Sequence, residues 1–177
     1  DDKVYEGEMK LGVETNSYDV DGEVTATLPV PALTLDQLNE HAATYVGDTL
    51  QTPPMVSAVK IGGVPLYKLA RQGVEVERKA RLVHIYSFKF SSYTEPCGYF
   101  HVACTKGTYV RTLAHDLGAK LGCGAHLTTL RRTLSGKFDV RDALPFEEVL
   151  RLSEAGLAQR VIPFIKLAMA VGAIQPA

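Results

Sequence analysis

Cysteine is scarce in this chain of 177 residues. Cys97, Cys104 and Cys123 are odd in number and form no C-x-x-C pair. That excludes a disulfide framework and a cysteine zinc site, and points to reduced thiols in a cytosol. No apolar run approaches the roughly 18 residues that span a bilayer. No basic stretch followed by an apolar one marks a signal peptide. His41, His84, His101, His115 and His126 lack H-x-x-x-H or similar ligand spacing, so no metal is expected. A G-x-x-x-x-G-K-S/T run is missing, and Gly62-Gly63 and Gly122-x-Gly124 are too short for a phosphate loop. Nucleoside triphosphate chemistry is therefore unsupported, and no cofactor is expected. Internal repeats and low-complexity segments are also lacking.

What is present is ordinary for a globular domain: 46% hydrophobic and 22% charged residues. A chain of this length forms one domain that buries about 70% of its surface. The net charge of −1 hides an asymmetry. Residues 1–49 hold eleven acids and two lysines. Residues 60–82 hold Lys60, Lys68, Arg71, Arg78, Lys79 and Arg81 against Glu75 and Glu77. Residues 106–137 hold Lys106, Arg111, Lys120, Arg131, Arg132 and Lys137 against Asp116 alone. Two basic blocks on an acidic chain suggest a basic face, for which a phosphate backbone is a natural partner. Two solvated helix faces would give the same pattern.

Val4 to Leu11 alternates, with Tyr5, Gly7, Met9 and Leu11 on one face of a half-buried strand. Asp19-Val20-Asp21-Gly22 is a turn, and Val24 to Leu28 a short strand stopped by prolines. Thr34-Leu35-Asp36-Gln37 has capping-box form and opens a helix ended by Gly47. Gln51 to Met55 is extended, Ser57 to Lys60 a short strand, and Leu66 to Gln72 a helix closed by Gly73. Arg81 to Phe90 and Gly98 to Thr105 are an antiparallel pair joined by the linker Ser91 to Cys97. His126 to Arg132 reads as a short helix with Leu127 and Leu130 inward, and Phe138 to Val140 as an edge strand. Pro145 opens a last helix that Gly156 closes. Interleaved helices and antiparallel strands make the class α+β.

The organising stretch is Val102 to Leu113. An apolar strand ends, Gly107 supplies a turn, and Thr108 is a candidate N-cap. Val110, Leu113, Ala114, Leu117 and Leu121 then follow a helical stripe. Cys104 lies on the strand and reads as a core thiol, not as a nucleophile paired with His101 or His115. Tyr109 and Arg111 stand at the mouth of the turn. With Tyr5 and Leu130 they suggest a pocket in which an aromatic face stacks on a base and an arginine holds a carboxylate or phosphate.

Lys106-Gly107-Thr108-Tyr109-Val110-Arg111-Thr112-Leu113, followed by Asp116-Leu117-Gly118, closely resembles the K-G-T-Y-I-R-T-L…D-L-G motif of the TruB family of tRNA pseudouridine synthases. Leu121 to Leu127 and Leu130-Arg131-Arg132 resemble the segment that follows it. Lys3-x-Tyr5, Leu11-Gly12, Thr15 and Asp19-x-Asp21-Gly22 resemble a third block, and Pro53-Pro54-Met55 through Gly73 a fourth. The resemblance runs from about Lys3 to Val149.

It implies an α+β domain, a pseudouridine synthase-like mixed and mainly antiparallel sheet flanked by helices. It implies isomerisation of a T-loop uridine of tRNA, breaking the C1′–N bond and making a C1′–C5 bond, with no cofactor and no metal. Tyr5 would stack on the base and mediate proton loss at C5. Arg111 would pair with the catalytic aspartate, Tyr109 would pack beside it, and Leu130 would form an apolar wall. Lys60, Lys106, Arg131 and Arg132 are the expected RNA-binding cations, and Asp19 would belong to the surrounding polar network. The expected partner is the T arm of tRNA, and the expected state a cytoplasmic monomer without membrane contact. A TruB-like module that grips and remodels tRNA without chemistry is the alternative.

One block of the family pattern is unmatched. The family's nucleophilic aspartate lies in a motif like H-x-G-T-L-D-P-x-A-T-G, upstream of the Lys-x-Tyr block. None of Asp19, Asp21, Asp48 and Asp116 stands in that context. The chain opens Asp1-Asp2-Lys3 and is expected to be a piece of a longer protein, inactive alone. Residues 1–165 are expected to be a partial catalytic domain, and residues 166–177 a tail or the start of a C-terminal extension.

Overall fold

The alternating residues 4–11 form strand β1 (Lys3–Leu11) in the computed structural model, which describes residues 1–170. Gly7, Met9 and Leu11 are buried and Tyr5 packs against the core, so the alternation assigns the faces correctly. β1 runs antiparallel to both its neighbours, β8 (Cys97–Cys104) and β9 (Ala125–Ser135). The sheet has six strands in the order β10-β9-β1-β8-β7-β4. β4 is Gly47–Gln51, β7 Arg81–Thr94 and β10 Phe138–Asp139. Every strand pair in it is antiparallel. Among the described residues, the one parallel contact is an isolated bridge from Asp19 to Leu127.

Two helices cover the apolar face. Helix α1 (Leu35–Ala43) carries the full capping box, with Thr34 accepting from the Gln37 N–H and Gln37 returning a bond to the Thr34 N–H. Leu38 and Ala42 of α1 are fully buried, and Asn39 is anchored to the backbone of Phe90 in β7. Helix α3 (Val110–Lys120) buries Val110, Leu113, Ala114 and Leu117, and packs on β9. Between these helices and the sheet lie Met9, Ile85, Phe88, Phe90, Phe100 and Val102. Burying each such side chain contributes about 1.5–3 kcal/mol.

Two hairpins stand off the main sheet. One pairs β2 (Val13–Thr15) with β3 (Val24–Thr27). The other pairs β5 (Lys60–Ile61) with β6 (Val64–Pro65) and leads into α2 (Leu66–Arg71). After β10 the chain continues as α4 (Phe146–Val149), α5 (Glu154–Arg160) and α6 (Phe164–Ala170). The boundary expected after residue 165 therefore falls inside α6, and residues 171–177 lie outside the described residues.

Several elements differ from the sequence expectation. His126 to Arg132 is not a helix but part of β9. Leu127 and Leu130 share a face because Thr128 is an extra residue between the pairs Met9–Leu127 and Glu8–Thr129. A bulge in a strand thus imitates the three-residue spacing of a helix. The linker 91–97 is mostly strand, with Thr94 already paired to Cys97, because Ser92, Tyr93 and Thr94 extend the ladder up to Pro96. The residue preceding α3 is Tyr109, without a side-chain cap, while the Thr108 hydroxyl turns back to the Thr105 carbonyl at 2.9 Å. Helix α1 ends at Ala43 with Thr44 as its C-cap, and Gly47 instead begins β4. The strand expected at 57–60 reduces to Lys60–Ile61. Gly156 lies inside α5, which Ser153 caps.

Candidate active site

Arg111 sits in the first turn of α3, where the helix leaves the Thr105–Thr108 turn behind β8. Its guanidinium is held on two sides. Nη1 donates to Asp19 Oδ2 at 2.7 Å, and Nη2 donates to the Val56 carbonyl at 2.9 Å. Nη1 also lies 3.5 Å from the Ser17 carbonyl. Both partners of the Arg111–Asp19 pair are one-quarter exposed, so the pair is only partly screened by water. A guanidinium has five N–H donors. Among the described residues, Nε–H and the second Nη2–H have no partner, and this edge can receive another carboxylate or a phosphate.

Asp19 is fixed from its own turn. Its Oδ1 accepts from the Ser17 hydroxyl at 2.8 Å and from the Asp21 N–H at 3.1 Å, and its carbonyl accepts from the Thr15 hydroxyl at 2.7 Å. Asn16 closes the turn against Glu23 through backbone and side-chain bonds. Tyr18, just before Asp19, has φ of 64°, the one positive value at a non-glycine residue among those described. For such a residue the left-handed region costs roughly 1–2 kcal/mol.

These groups border a cleft of about 900 Å³. Its walls are the β2–β3 turn, Met55 and Val56, the helix α2 with Tyr67, Ala70 and Arg71, and Arg111. Asp19, Asp21, Glu23 and Glu75 also line it, so the cleft is mixed in charge rather than uniformly basic. Arg71 lies over the Tyr67 ring at 5.6 Å, and Arg78 donates to the Pro53 carbonyl at 3.1 Å, tying down the chain that reaches Val56.

Tyr109 is positioned through its backbone. Gln51, at the end of β4 and buried, accepts from the Tyr109 N–H at 2.7 Å and donates to its carbonyl at 3.0 Å. Tyr5 belongs to the sheet. Register pairs it with Val102 on β8 and Arg132 on β9, and pairs Gly7 with Leu130. Directly paired residues share a face, so Tyr5, Leu130 and Arg132 occupy the core-facing side of the sheet. Leu130 is 43% exposed, where that face runs out from under its helices. Bulges at Thr128 and Thr133 flank this stretch of β9, and each threonine hydroxyl reaches the carbonyl of a β1 residue, Glu8 or Val4.

The remaining expected cations are dispersed. Arg131 pairs with Glu6 and so lies on the opposite face of the sheet from Arg132. Lys106 lines a separate shallow depression with Asp48 and His84. Lys60 is exposed on the β5–β6 hairpin. Sequence reasoning missed Gln51, whose partner is 58 positions away. It placed Asp19 only in the surrounding network and not on Arg111, 92 positions away. The Asp-x-Asp-Gly turn was the available signal for Asp19; nothing local marks Gln51.

Known proteins of two kinds resemble this chain. Residues 1–110 match the TruB family pseudouridylate synthase N-terminal domain, and residues 111–165 match the tRNA pseudouridylate synthase B C-terminal domain. The division falls between Val110 and Arg111, inside the first turn of α3. The tRNA pseudouridine synthase B of Opitutus terrae is 49% identical over 170 residues, covering 96% of this chain and 70% of that protein. That of Dechloromonas aromatica is 46% identical over 162 residues, covering 92% of this chain and 54% of its own length. Against these two the chain thus spans between about half and 70% of the relative's length. In structure, the chain resembles one in a crystal structure of a Cbf5-Nop10-Gar1 complex, with a TM-score of 0.67 at 22% identity. That match covers 96% of this chain and 44% of the other. At that identity it shows a shared fold, the antiparallel sheet flanked by helices.

Proposed function

The chain belongs to the TruB family of pseudouridylate synthases, and on that premise we propose that it supplies the arginine half of an active site that isomerises uridine to pseudouridine in tRNA. The observation that carries this reading is the guanidinium of Arg111. It is anchored by Asp19 and the Val56 carbonyl, yet keeps beside a cleft an N–H edge that no other described residue engages. An arginine fixed in this way is suited to hold a second carboxylate in one orientation. The nucleophilic aspartate of the family motif is that carboxylate, and no residue of the chain matches it.

In the reaction, the C1′–N bond of the target uridine breaks, the base turns, and a C1′–C5 bond forms. The C5 proton is then lost. Tyr5 stacks on the base and mediates that loss, Tyr109 packs beside Arg111 on the backbone clamp from Gln51, and Leu130 excludes water as an apolar wall. Arg132, on the face of Tyr5, takes the phosphate nearest the uridine. Lys60, Lys106 and Arg131, spread over other surfaces, contact more distant phosphates of the T arm. The protein acts as a monomer in the cytoplasm. No described helix is long and apolar enough to cross a membrane.

The test is release of tritium from C5-labelled uridine in tRNA. Release is expected when this chain is joined to a polypeptide carrying the family's aspartate motif, and none from the chain alone. No release from either would overturn the assignment. Turnover by the chain alone would show that a carboxylate already present, Asp19 foremost, serves as the nucleophile.

A further inference from the structure

The left-handed Tyr18 has an unusual neighbour. Its ring lies flat on the imidazole of His115, with centroids 4.0 Å apart and planes 12° from parallel. His115 stands on α3, one helical turn after Arg111, so the two side chains leave the same flank of the helix. The two residues they engage are adjacent, because His115 takes the ring of Tyr18 and Arg111 takes the carboxylate of Asp19.

The backbone around Tyr18 is pinned as well. Its N–H donates to the Thr15 carbonyl at 3.1 Å, and its carbonyl accepts from the Leu127 N–H at 3.0 Å. Adjacent residues in extended chain point to opposite sides, so a ring and a carboxylate one position apart would not both face α3. The left-handed turn at Tyr18 makes this possible. A bulky residue keeps such a backbone only where its surroundings over-determine it. His115 Nδ1 is buried and has no hydrogen-bond partner among the described residues. The imidazole is thus engaged here through its face, against Tyr18.

We propose that the Tyr18–His115 stack is a positioning pair that holds Asp19 on Arg111 and so sets the direction of the arginine edge left for the catalytic carboxylate. This rests on the function proposed above for Arg111. Neither ring touches substrate. Helix α3 grips the turn at two points a helical turn apart, and the second grip prevents the turn from rotating Asp19 away. The stack needs a flat ring at each position, not the phenol hydroxyl of Tyr18.

The test compares Tyr18→Phe, Tyr18→Gly and His115→Ala in the full chain. Glycine accepts the positive φ freely, so Tyr18→Gly removes the ring without straining the fold. The first readout needs no activity: nitrogen NMR of the Arg111 guanidinium, whose Nη groups give separate signals while Asp19 and Val56 hold them. Separate signals are expected in the unsubstituted chain and in Tyr18→Phe, and merged signals in Tyr18→Gly and His115→Ala. Separate signals in all four would overturn the proposal. The second readout is single-turnover pseudouridine formation at saturating tRNA, with the chain joined to the aspartate motif. A fall on the order of 10–100-fold with unchanged tRNA affinity is expected for Tyr18→Gly and His115→Ala, and near-complete retention for Tyr18→Phe. Merged signals with a full rate would overturn the role in turnover. An inactive parent with the NMR pattern intact would overturn the function proposed above while leaving the positioning pair standing.

Discussion

The carboxamide of Gln51 closes a two-point clamp on the backbone of Tyr109. Its Oε1 accepts the Tyr109 N–H at 2.7 Å, and its Nε2 donates to the Tyr109 carbonyl at 3.0 Å. The clamp joins the end of the edge strand β4 to the residue just before α3, so it sets where Arg111 emerges. A carboxamide offers a donor and an acceptor side by side without needing a proton.

Gln51→Glu keeps the shape but replaces the donor by an oxygen facing the Tyr109 carbonyl, and it buries a charge. Gln51→Leu leaves the Tyr109 N–H without a partner, while the Tyr109 carbonyl keeps only the Leu113 N–H at 3.2 Å. Each is expected to cost about 1–3 kcal/mol of stability, since a buried polar group left unpaired carries its desolvation penalty. Urea midpoints measure this, and an unchanged midpoint for both would show that water replaces the clamp.

In the chain joined to the aspartate motif, Arg111→Lys is expected to lower turnover by orders of magnitude while tRNA affinity changes little. Lysine keeps the charge but cannot donate from a planar fork to Asp19, Val56 and a further carboxylate together. Single-turnover rates and tRNA binding at several salt concentrations separate the cases. Equal loss of rate and affinity, with a shallower salt slope, would make Arg111 a phosphate contact instead.

Legibility in the sequence followed the range of the interactions. Local rules found β1 from its alternation, α1 from its capping box and the buried stripe of α3. They failed at β9, where the bulge at Thr128 put Leu127 and Leu130 on one face and imitated a helix. Arg111, Tyr5 and Leu130 were singled out by the motifs that carry them. Their partners were less legible because the partnerships are tertiary: Asp19 lies 92 positions from Arg111, and Gln51 lies 58 from Tyr109. Arg131 and Arg132 look equivalent in a basic run, but a strand sends neighbouring residues to opposite faces.

Gly118 fixes how closely α3 approaches the start of β9. A Cβ there would fall on the Ala125 nitrogen and the Gly124 carbonyl carbon, both backbone atoms, and 2.6 Å from the Ala125 Cβ. Neither strand nor helix can yield without moving the Gly122–Gly124 turn, whose Cys123 and Gly124 N–H groups donate to the Gly118 carbonyl. Gly118→Ala is expected to destabilise by about 1–3 kcal/mol, as overpacked sites do. That lowers Tm by about 2–4 °C per kcal/mol for a domain of this size. Gly156→Ala is the control. Its Cβ would meet nothing closer than 3.4 Å inside α5, so Tm should hold or rise. A loss of equal size in both would mean that Gly118 has no special packing role.

Asp116 gives the stability a pH dependence of defined sign. Burial raises its carboxyl above the ordinary carboxylate range, and the neighbouring His115 only partly opposes this. The same carboxylate contributes, after burial, to pushing the Tyr45 phenol up to about 12. A carboxyl with a raised value in the fold binds its proton more tightly folded than unfolded. Its ionisation therefore removes stability as pH climbs from the ordinary carboxylate range through the folded value, and the penalty is complete above it. Asp116→Asn abolishes that penalty. The variant should be more resistant to urea than the parent near pH 7, and the advantage should vanish below about pH 3, where both states of the parent carboxyl are protonated. An advantage of the same size at both pH values would trace it to packing of the amide, and a destabilised variant at pH 7 would show that the ionised carboxylate is held by a favourable contact.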